Sequence, residues 1–518
     1  MVIPDSTLYQ LAAAAANQHP DLPAYEFLGR KTSCKTFLQQ IQQAAKGFHA
    51  MGIRRGDRVG ICLPNCPQAV IGFYALNRLG AVCVMLHPLA APGELASALK
   101  TAGAEVLLTL ERLGPAIRTA CKRQLTVITV RLPGESLPRS FPGRLTWTQL
   151  LAAGKPIRLP PDHGRGFDPA VILFSGGTCG TPKGVLHTNH GCNAAALQLL
   201  EASGLEHTEG LRMLSLLPLF HGFGLIVGIH APLLGGACCV LIPRFRSADL
   251  GRLLLKKHPQ LLPAVPAMLE ALRVSPALAE KELRFLQAVY CGGDVLPPGQ
   301  KQKLERFFAA HGADISIRLG YGLTECVAAA TLSPEGLPGT AGQALPGMEI
   351  QICRPDTTAG VPPGSEGEIC LTGPTVMVEY VQNPEETAQV LRRHSDGRLW
   401  LHTGDLGQLD QWGRLHFSQR RKRMIVTSGY NVYPGQLEAV LLTHPQVRQV
   451  CVIGVPDPCR GQRIRAVIVP TDRSLTEQQL REFCRSRIAR YAQPREYEFR
   501  TVLPLTRLGK VDWQALAQ

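Results

Sequence analysis

Between Phe37 and Leu110 the chain alternates helical and strand patterns with few residues to spare, and this constrains the fold more than any other feature. Phe37 to Met51 carries a helical apolar period, and the turn Arg54-Arg55-Gly56-Asp57-Arg58 leads into an apolar strand, Val59 to Leu63. Pro67 to Leu79 reads as a helix, Ala81 to Leu86 as a strand, Pro92 to Thr101 as a helix and Val106 to Leu110 as a strand. Pro92 suits a first helical turn, where its missing N–H has no partner to lose. Strands separated by single helices at this spacing predict parallel pairing and an α/β fold.

A second pass of the same kind begins at Val171-Ile172-Leu173-Phe174 and runs through Leu241. A third includes a helix around Leu250 to Lys257 and a strand from Leu286 to Tyr290. From about Gly342 the texture changes to short alternating runs (Met348 to Ile352, Gly367 to Leu371, Arg414 to Phe417), which predict a small β subdomain. The pattern resets near Gln419-Arg420-Arg421-Lys422-Arg423. Beyond it, helices at Gln436 to Thr443 and Glu477 to Arg487 and strands at Val447 to Val455 and Arg465 to Val469 make a compact α+β unit. The expected division is a large N-terminal lobe, 1–421, of two αβ sheet subdomains plus the small β subdomain, and a C-terminal domain, 422–518.

Lys and Arg total 55 against 40 Asp and Glu, a formal charge of +15, which favours polyanionic partners without choosing among them. No basic helix with interleaved aromatics supports nucleic-acid binding. The 16 cysteines form no paired CxxC knuckles and read as reduced core residues of a cytoplasmic protein. The start of the chain has no basic region ahead of an apolar stretch, which argues against a signal peptide. Met213 to Pro243 contains no charged residue, yet Pro218, His221, His230, Pro232 and five glycines interrupt it. Two buried strands around an apolar helix are expected there rather than a membrane span; peripheral membrane contact stays open.

The strongest local motif is Ser175-Gly176-Gly177-Thr178-Cys179-Gly180-Thr181-Pro182-Lys183-Gly184, directly after an apolar strand. Spaced glycines let backbone N–H groups approach phosphate oxygens, and hydroxyls and a lysine add donors. It is not a Walker A loop, and taken alone it reads equally as a glycine turn. Four further blocks follow in order: Leu217-Pro218-Leu219-Phe220-His221-Gly222, Tyr290-Cys291-Gly292-Gly293-Asp294, Gly320-Tyr321-Gly322-Leu323-Thr324-Glu325 and His402-Thr403-Gly404-Asp405. Ser428-Gly429-Tyr430-Asn431 and Leu503-Pro504-Leu505-Thr506-Arg507-Leu508-Gly509-Lys510 complete the series.

Together these blocks resemble, over nearly the whole chain, the adenylate-forming superfamily of acyl- and aryl-CoA synthetases, peptide-synthetase adenylation domains and luciferases. The resemblance implies an ATP-dependent carboxylic acid:CoA ligase working through an acyl-adenylate with Mg²⁺. Ser175, Gly177, Thr178, Gly180, Thr181 and Lys183 would hold the β- and γ-phosphates. Gly293, Asp294, Gly320, Tyr321 and Gly322 would surround adenine and one wall of the acyl pocket. Thr324 would meet the α-phosphate, Glu325 would bind Mg²⁺, Asp405 the ribose hydroxyls, and Arg420 the sugar or a phosphate. His221 would lie beside the acyl carboxylate; no carboxylate stands there to pair an amino group, which argues for a simple organic acid. Lys510 would bridge the acyl carboxylate and the α-phosphate. A mobile C-terminal domain, hinged at Lys422, would then turn Gly429 and Tyr430 toward coenzyme A.

Six positions depart from the family pattern: Cys179 for a threonine, Asp294 for a small residue, Val295 for a proline, Leu319 for a glutamine, Gln419 for a glycine and Gln436 for a glutamate. A medium- or long-chain fatty acid is the expected substrate, with an aryl acid as the alternative. A carrier protein in place of coenzyme A is a further alternative, as is a non-catalytic ligand-binding subunit. The protein is expected as a monomer or homodimer.

Overall fold

The computed structural model describes residues 2–121, 125–135, 144–175, 183–204, 208–294, 296, 298–336, 339–420, 425–432, 434–472, 474–504 and 513–517. The predicted α/β alternation is present. Helix Cys34–Ala50 is capped by Ser33, whose hydroxyl accepts from Thr36 N–H at 3.2 Å. It buries Phe37, Ile41, Ala44, Ala45 and Phe48, the apolar stripe that its period places on one face.

One sheet has eight strands, in the order Glu379–Tyr380, Lys183–Thr188, Pro169–Ser175, Val82–Met85, Arg58–Cys62, Val106–Leu110, Thr126–Val130 and Arg144–Thr146. It is parallel from Pro169–Ser175 onward and antiparallel at its first two junctions. A second sheet has seven strands, in the order Ile317–Leu319, Ala288–Cys291, Leu261–Ala264, Arg212–Ser215, Cys238–Leu241, Pro23–Phe27 and Arg30–Ser33.

Sheet membership therefore does not follow the three passes of the sequence. Pro169–Ser175, which opens the second pass, pairs with Val82–Met85 of the first. Pro23–Phe27 pairs in parallel with Cys238–Leu241, Tyr25 opposite Cys239. Hydrophobic period sets the type of an element, whereas pairing is decided by which buried faces meet.

The charge-free stretch forms the two expected strands around the π-helix Phe223–His230 and the short helix Ala231–Leu234. No helix among the described residues is long and apolar enough to cross a membrane. His230 is fully buried and satisfied: Nε2 donates to Asn193 Oδ1 at 2.9 Å and Nδ1 accepts from the Tyr74 hydroxyl at 2.9 Å.

The small β subdomain is an antiparallel sheet of Glu349–Cys353, Gly367–Thr372, Leu399–Leu409 and Leu391–Arg393, with Leu415–Arg420 pairing Leu399–Leu409. The C-terminal α+β unit is built on the long hairpin Val447–Asp457 and Gly461–Pro470. Successive residues of Val447–Asp457 alternate between a core with helices Pro434–Leu442 and Glu477–Arg485 and a second cluster that holds Leu503 and Leu516.

Candidate active site

Four parallel strands of the second sheet end on the same side, and the residues after each line one cavity of about 1210 Å³. Leu217 and Pro218 follow Arg212–Ser215, Val265 follows Leu261–Ala264, Gly293 and Asp294 follow Ala288–Cys291, and Gly320, Tyr321 and Gly322 follow Ile317–Leu319. Open α/β sheets bind ligands at the carboxyl ends of their strands because only there do several loops converge. The facing wall comes from the C-terminal unit: Ser428, Gly429, Tyr430 and Arg460. The cavity thus brings together Gly293, Asp294, Gly320, Tyr321, Gly322, Gly429 and Tyr430.

Two glycines permit backbone approaches that no other residue allows. A Cβ at Gly222 would lie 1.5 Å from the Val327 carbonyl oxygen, and one at Gly322 would lie 2.0 Å from that of Ala328. Val327 itself holds φ at 66°, a costly conformation for a β-branched side chain, so packing forces the segment inward. Beside it, the His221 ring lies 4.6 Å from that of Phe220. Burial lowers the His221 imidazole to about 4, so around neutral pH it offers a hydrogen bond rather than a charge.

The phosphate-loop residues Gly177, Thr178, Gly180 and Thr181 lie outside the described residues; Ser175 and Lys183, at its two ends, are opposite one another across an antiparallel pair. Ser175 Oγ donates to Glu325 Oε1 at 3.1 Å, and the Tyr380 hydroxyl donates to the same oxygen at 2.7 Å. Burial and the Glu325 carboxylate push the Tyr380 hydroxyl far above its ordinary range, so it stays a donor. The turn Thr324–Cys326 that carries Glu325 is fixed by buried His187, whose Nε2 donates to the Thr324 carbonyl at 2.8 Å.

Lys183 is not a free phosphate donor here. Its ammonium lies 2.5 Å from Glu386 Oε2 and 4.8 Å over the Tyr380 ring. Glu386 comes from the first turn of helix Pro384–Val390. The donors around Glu325 are all oxygens, which suits a hard cation such as Mg²⁺.

On the far side, the Tyr321 hydroxyl donates to Asp405 Oδ2 at 2.9 Å, with both residues buried. Asp405 also stands opposite Arg420 across the Leu399–Leu409 pairing. The two expected nucleotide contacts, Tyr321 and Asp405, are one hydrogen-bonded pair. Lys422 and Lys510 lie outside the described residues. Leu503 and Leu516, which bracket Lys510, pack in one cluster with Cys451, Ile453, Val467 and Val469.

Where the two units meet, His87 forms an aromatic stack. Its ring lies 4.1 Å from Phe220, 4.8 Å from Tyr491 and 5.6 Å from Tyr430. His87 Nδ1 accepts from Leu89 N–H at 3.0 Å. Burial, reinforced by neighbouring His221, holds this imidazole at about 3.

Motif reading missed His87, Tyr380, Glu386 and Tyr491. Only Glu386 had a local signal, an acidic first turn capped by Asn383.

Residues 12–381 match the family described as AMP-binding enzyme, and residues 436–510 match its counterpart, AMP-binding enzyme C-terminal domain. A long-chain-fatty-acid--CoA ligase of Bacillus subtilis is 31% identical over 98% of this chain and 94% of its own length. A 4-coumarate--CoA ligase of Solanum tuberosum is 28% identical over 91% of this chain and 85% of its own. The structure of an amide bond synthetase from Marinactinospora thermotolerans superposes with a TM-score of 0.82 at 26% identity, covering 99% of both chains.

Proposed function

The chain belongs to the AMP-binding enzyme family, as an AMP-forming carboxylic acid:CoA ligase, and we propose that its acid is a medium- or long-chain fatty acid. The observation that carries the reading is the cavity walled by Gly320 to Gly322 on one side and Gly429 and Tyr430 on the other. Its mixed lining includes the apolar side chains of Leu217, Phe245, Met268 and Val274, which supports a hydrocarbon substrate.

In the first step a carboxylate oxygen attacks the α-phosphorus of ATP, and the bond to the β-phosphate breaks to release pyrophosphate. The carboxylate and the α-phosphate repel one another, and Lys510 supplies the positive charge between them. Neutral His221 donates to the carboxylate. Asp405 holds the ribose, and Lys183 exchanges Glu386 for the terminal phosphates. Glu325 would hold Mg²⁺, which would neutralise phosphate charge when bound. In the second step the sulfur of coenzyme A, on losing its proton, attacks the acyl carbon and AMP departs.

Two steps at one acyl centre need different partners, which supports rotation of a domain beginning at Lys422. That Gly429 and Tyr430 face the cavity supports reading this arrangement as the one for thiol transfer.

The test is acid-dependent ATP–pyrophosphate exchange across fatty and aryl acids, followed by capture with coenzyme A. Preference for medium- or long-chain fatty acids is expected. Preference for benzoates or cinnamates would move the assignment to the aryl-acid branch that the 4-coumarate relative represents. Lys510→Ala is expected to abolish most exchange while sparing transfer from supplied acyl-adenylate.

A further inference from the structure

His87 carries a buried donor without an acceptor. Its Nδ1 accepts from Leu89 N–H at 3.0 Å, and a backbone amide only donates. The ring proton of the neutral imidazole therefore sits on Nε2. That nitrogen is buried and has no hydrogen-bond partner among the described residues. Native structures leave few buried donors unpaired, because hydration lost without a replacement bond is costly.

The surroundings point to the missing acceptor. Phe220, with its ring 4.1 Å away, leads directly to His221, which is near enough to act electrostatically on His87. Tyr430 and Tyr491 come from the C-terminal unit and stack on one another at 4.5 Å. Glu94, in the first turn of helix Pro92–Ala102, accepts from Ala91 N–H at 2.7 Å and from Ala489 N–H across the boundary. Ala489 lies just before Tyr491, so this carboxylate holds the C-terminal unit against the segment that carries His87. Of the three rings around His87, Tyr430 is the most distant, at 5.6 Å, and it lines the cavity.

We propose that His87 Nε2–H donates to the pantetheine arm that bears the attacking thiol, at the amide carbonyl nearer the sulfur. The contact rests on the ligase reading and gives its second step a recognition residue. Sulfur has to reach the acyl carbon beside His221, and only an ethylene link separates it from that amide, which brings the carbonyl to the neighbourhood of Phe220 and His87. A swing of Tyr430 opens Nε2 to the cavity. Tyr430 and Tyr491 close on His87 in the arrangement read as the one for thiol transfer, so the donor serves the acceptor thiol rather than ATP. Apolar ring faces keep water from the bond and strengthen it. With Nδ1 committed to Leu89, His87 binds the arm and takes no proton from the thiol.

The test compares wild-type protein with His87→Phe, which keeps a flat ring and removes the donor. In the overall reaction the variant is expected to raise KM for coenzyme A about tenfold, the loss of one buried hydrogen bond. The effect falls on KM rather than kcat, as for a contact made equally before and during reaction. A coenzyme A analogue with a hydrocarbon link in place of that amide should raise KM about tenfold for the wild type and add little for the variant. A KM within about twofold of wild type in His87→Phe, or an analogue that costs both proteins equally, would overturn the proposal. A lowered kcat at unchanged KM would also overturn it, placing the donor on the reacting acyl group. If His87→Phe does not fold, the analogue decides with wild-type protein alone. A carrier protein bearing the same arm is run as a second acceptor, and the one with the higher kcat/KM supplies the arm. Absence of acid-dependent pyrophosphate exchange in the wild type would instead remove the ligase reading itself.

Discussion

Replacing His87 by alanine isolates the aromatic contacts that cross from the large lobe to the C-terminal unit. Two cross the boundary: His87 to Tyr491 at 4.8 Å with planes 10° apart, and His87 to Tyr430 at 5.6 Å and 29°. The third neighbour, Phe220, belongs to the same lobe as His87. Aromatic pairs contribute about 0.5–1.5 kcal/mol each, so the two stabilise this arrangement by about 1–3 kcal/mol. Their loss lowers its population relative to other arrangements by about 5- to 150-fold.

Because Gly429 and Tyr430 face the cavity here, thiol transfer is the step that loses rate. Transfer from supplied acyl-adenylate to coenzyme A, measured under single-turnover conditions, is expected to slow within that range. ATP–pyrophosphate exchange should change by less than about threefold. His87→Phe restores a flat ring and should recover most of the rate. Equal loss in both half-reactions, or an unchanged transfer rate, would refute the reasoning. With its imidazole held at about 3, His87 stays neutral around neutral pH and should not shape the pH profile there.

Other expectations concern the large lobe. Glu386→Gln removes the partner 2.5 Å from Lys183, and a half-buried pair of about 1 kcal/mol predicts a KM for ATP lowered about fivefold; a raised KM would show that Glu386 orients the lysine instead. Tyr321→Phe leaves buried Asp405 without its 2.9 Å donor and should cost about 1.5–3 kcal/mol of lobe stability, with ATP narrowing the difference because ribose hydroxyls replace the donor. His187 and His230 are buried and held at about 4 and about 3, below the ordinary value of about 6.5, so the unfolded chain binds more protons between those limits. Stability is therefore full above about pH 6.5 and falls on acidification by about 2.7 kcal/mol per pH unit for the two, read from denaturant midpoints; a flat or rising trend would contradict it.

Features with a local physical cause were legible before the structure. Helix Cys34–Ala50 and the strands Val447–Asp457 and Gly461–Pro470 follow from hydrophobic period, whereas the cavity residues were marked by the family resemblance of their motifs. What was not legible depends on pairing at a distance. Lys183 meets Glu386 only because Glu379–Tyr380 adds itself to the edge beside Lys183–Thr188. Cys353 and Cys370 meet only through the antiparallel register of Glu349–Cys353 with Gly367–Thr372. In the same apolar stretch His221 and His230 look alike on paper. Tyr74 and Asn193 satisfy one, whereas the other packs on Phe220 just after the cavity-lining Leu217 and Pro218.

The parallel pairing of Pro23–Phe27 with Cys238–Leu241 has a consequence for biosynthesis. A chain made from its amino end exposes Tyr25 long before Cys239 leaves the ribosome, so the first hairpin must wait through the synthesis of seven of the eight strands of the neighbouring sheet. Until then its free edge can pair with another nascent chain. Slowing translation between the two segments should raise the aggregated fraction, and a shortened product ending before Cys238 should need a chaperone to remain dispersed.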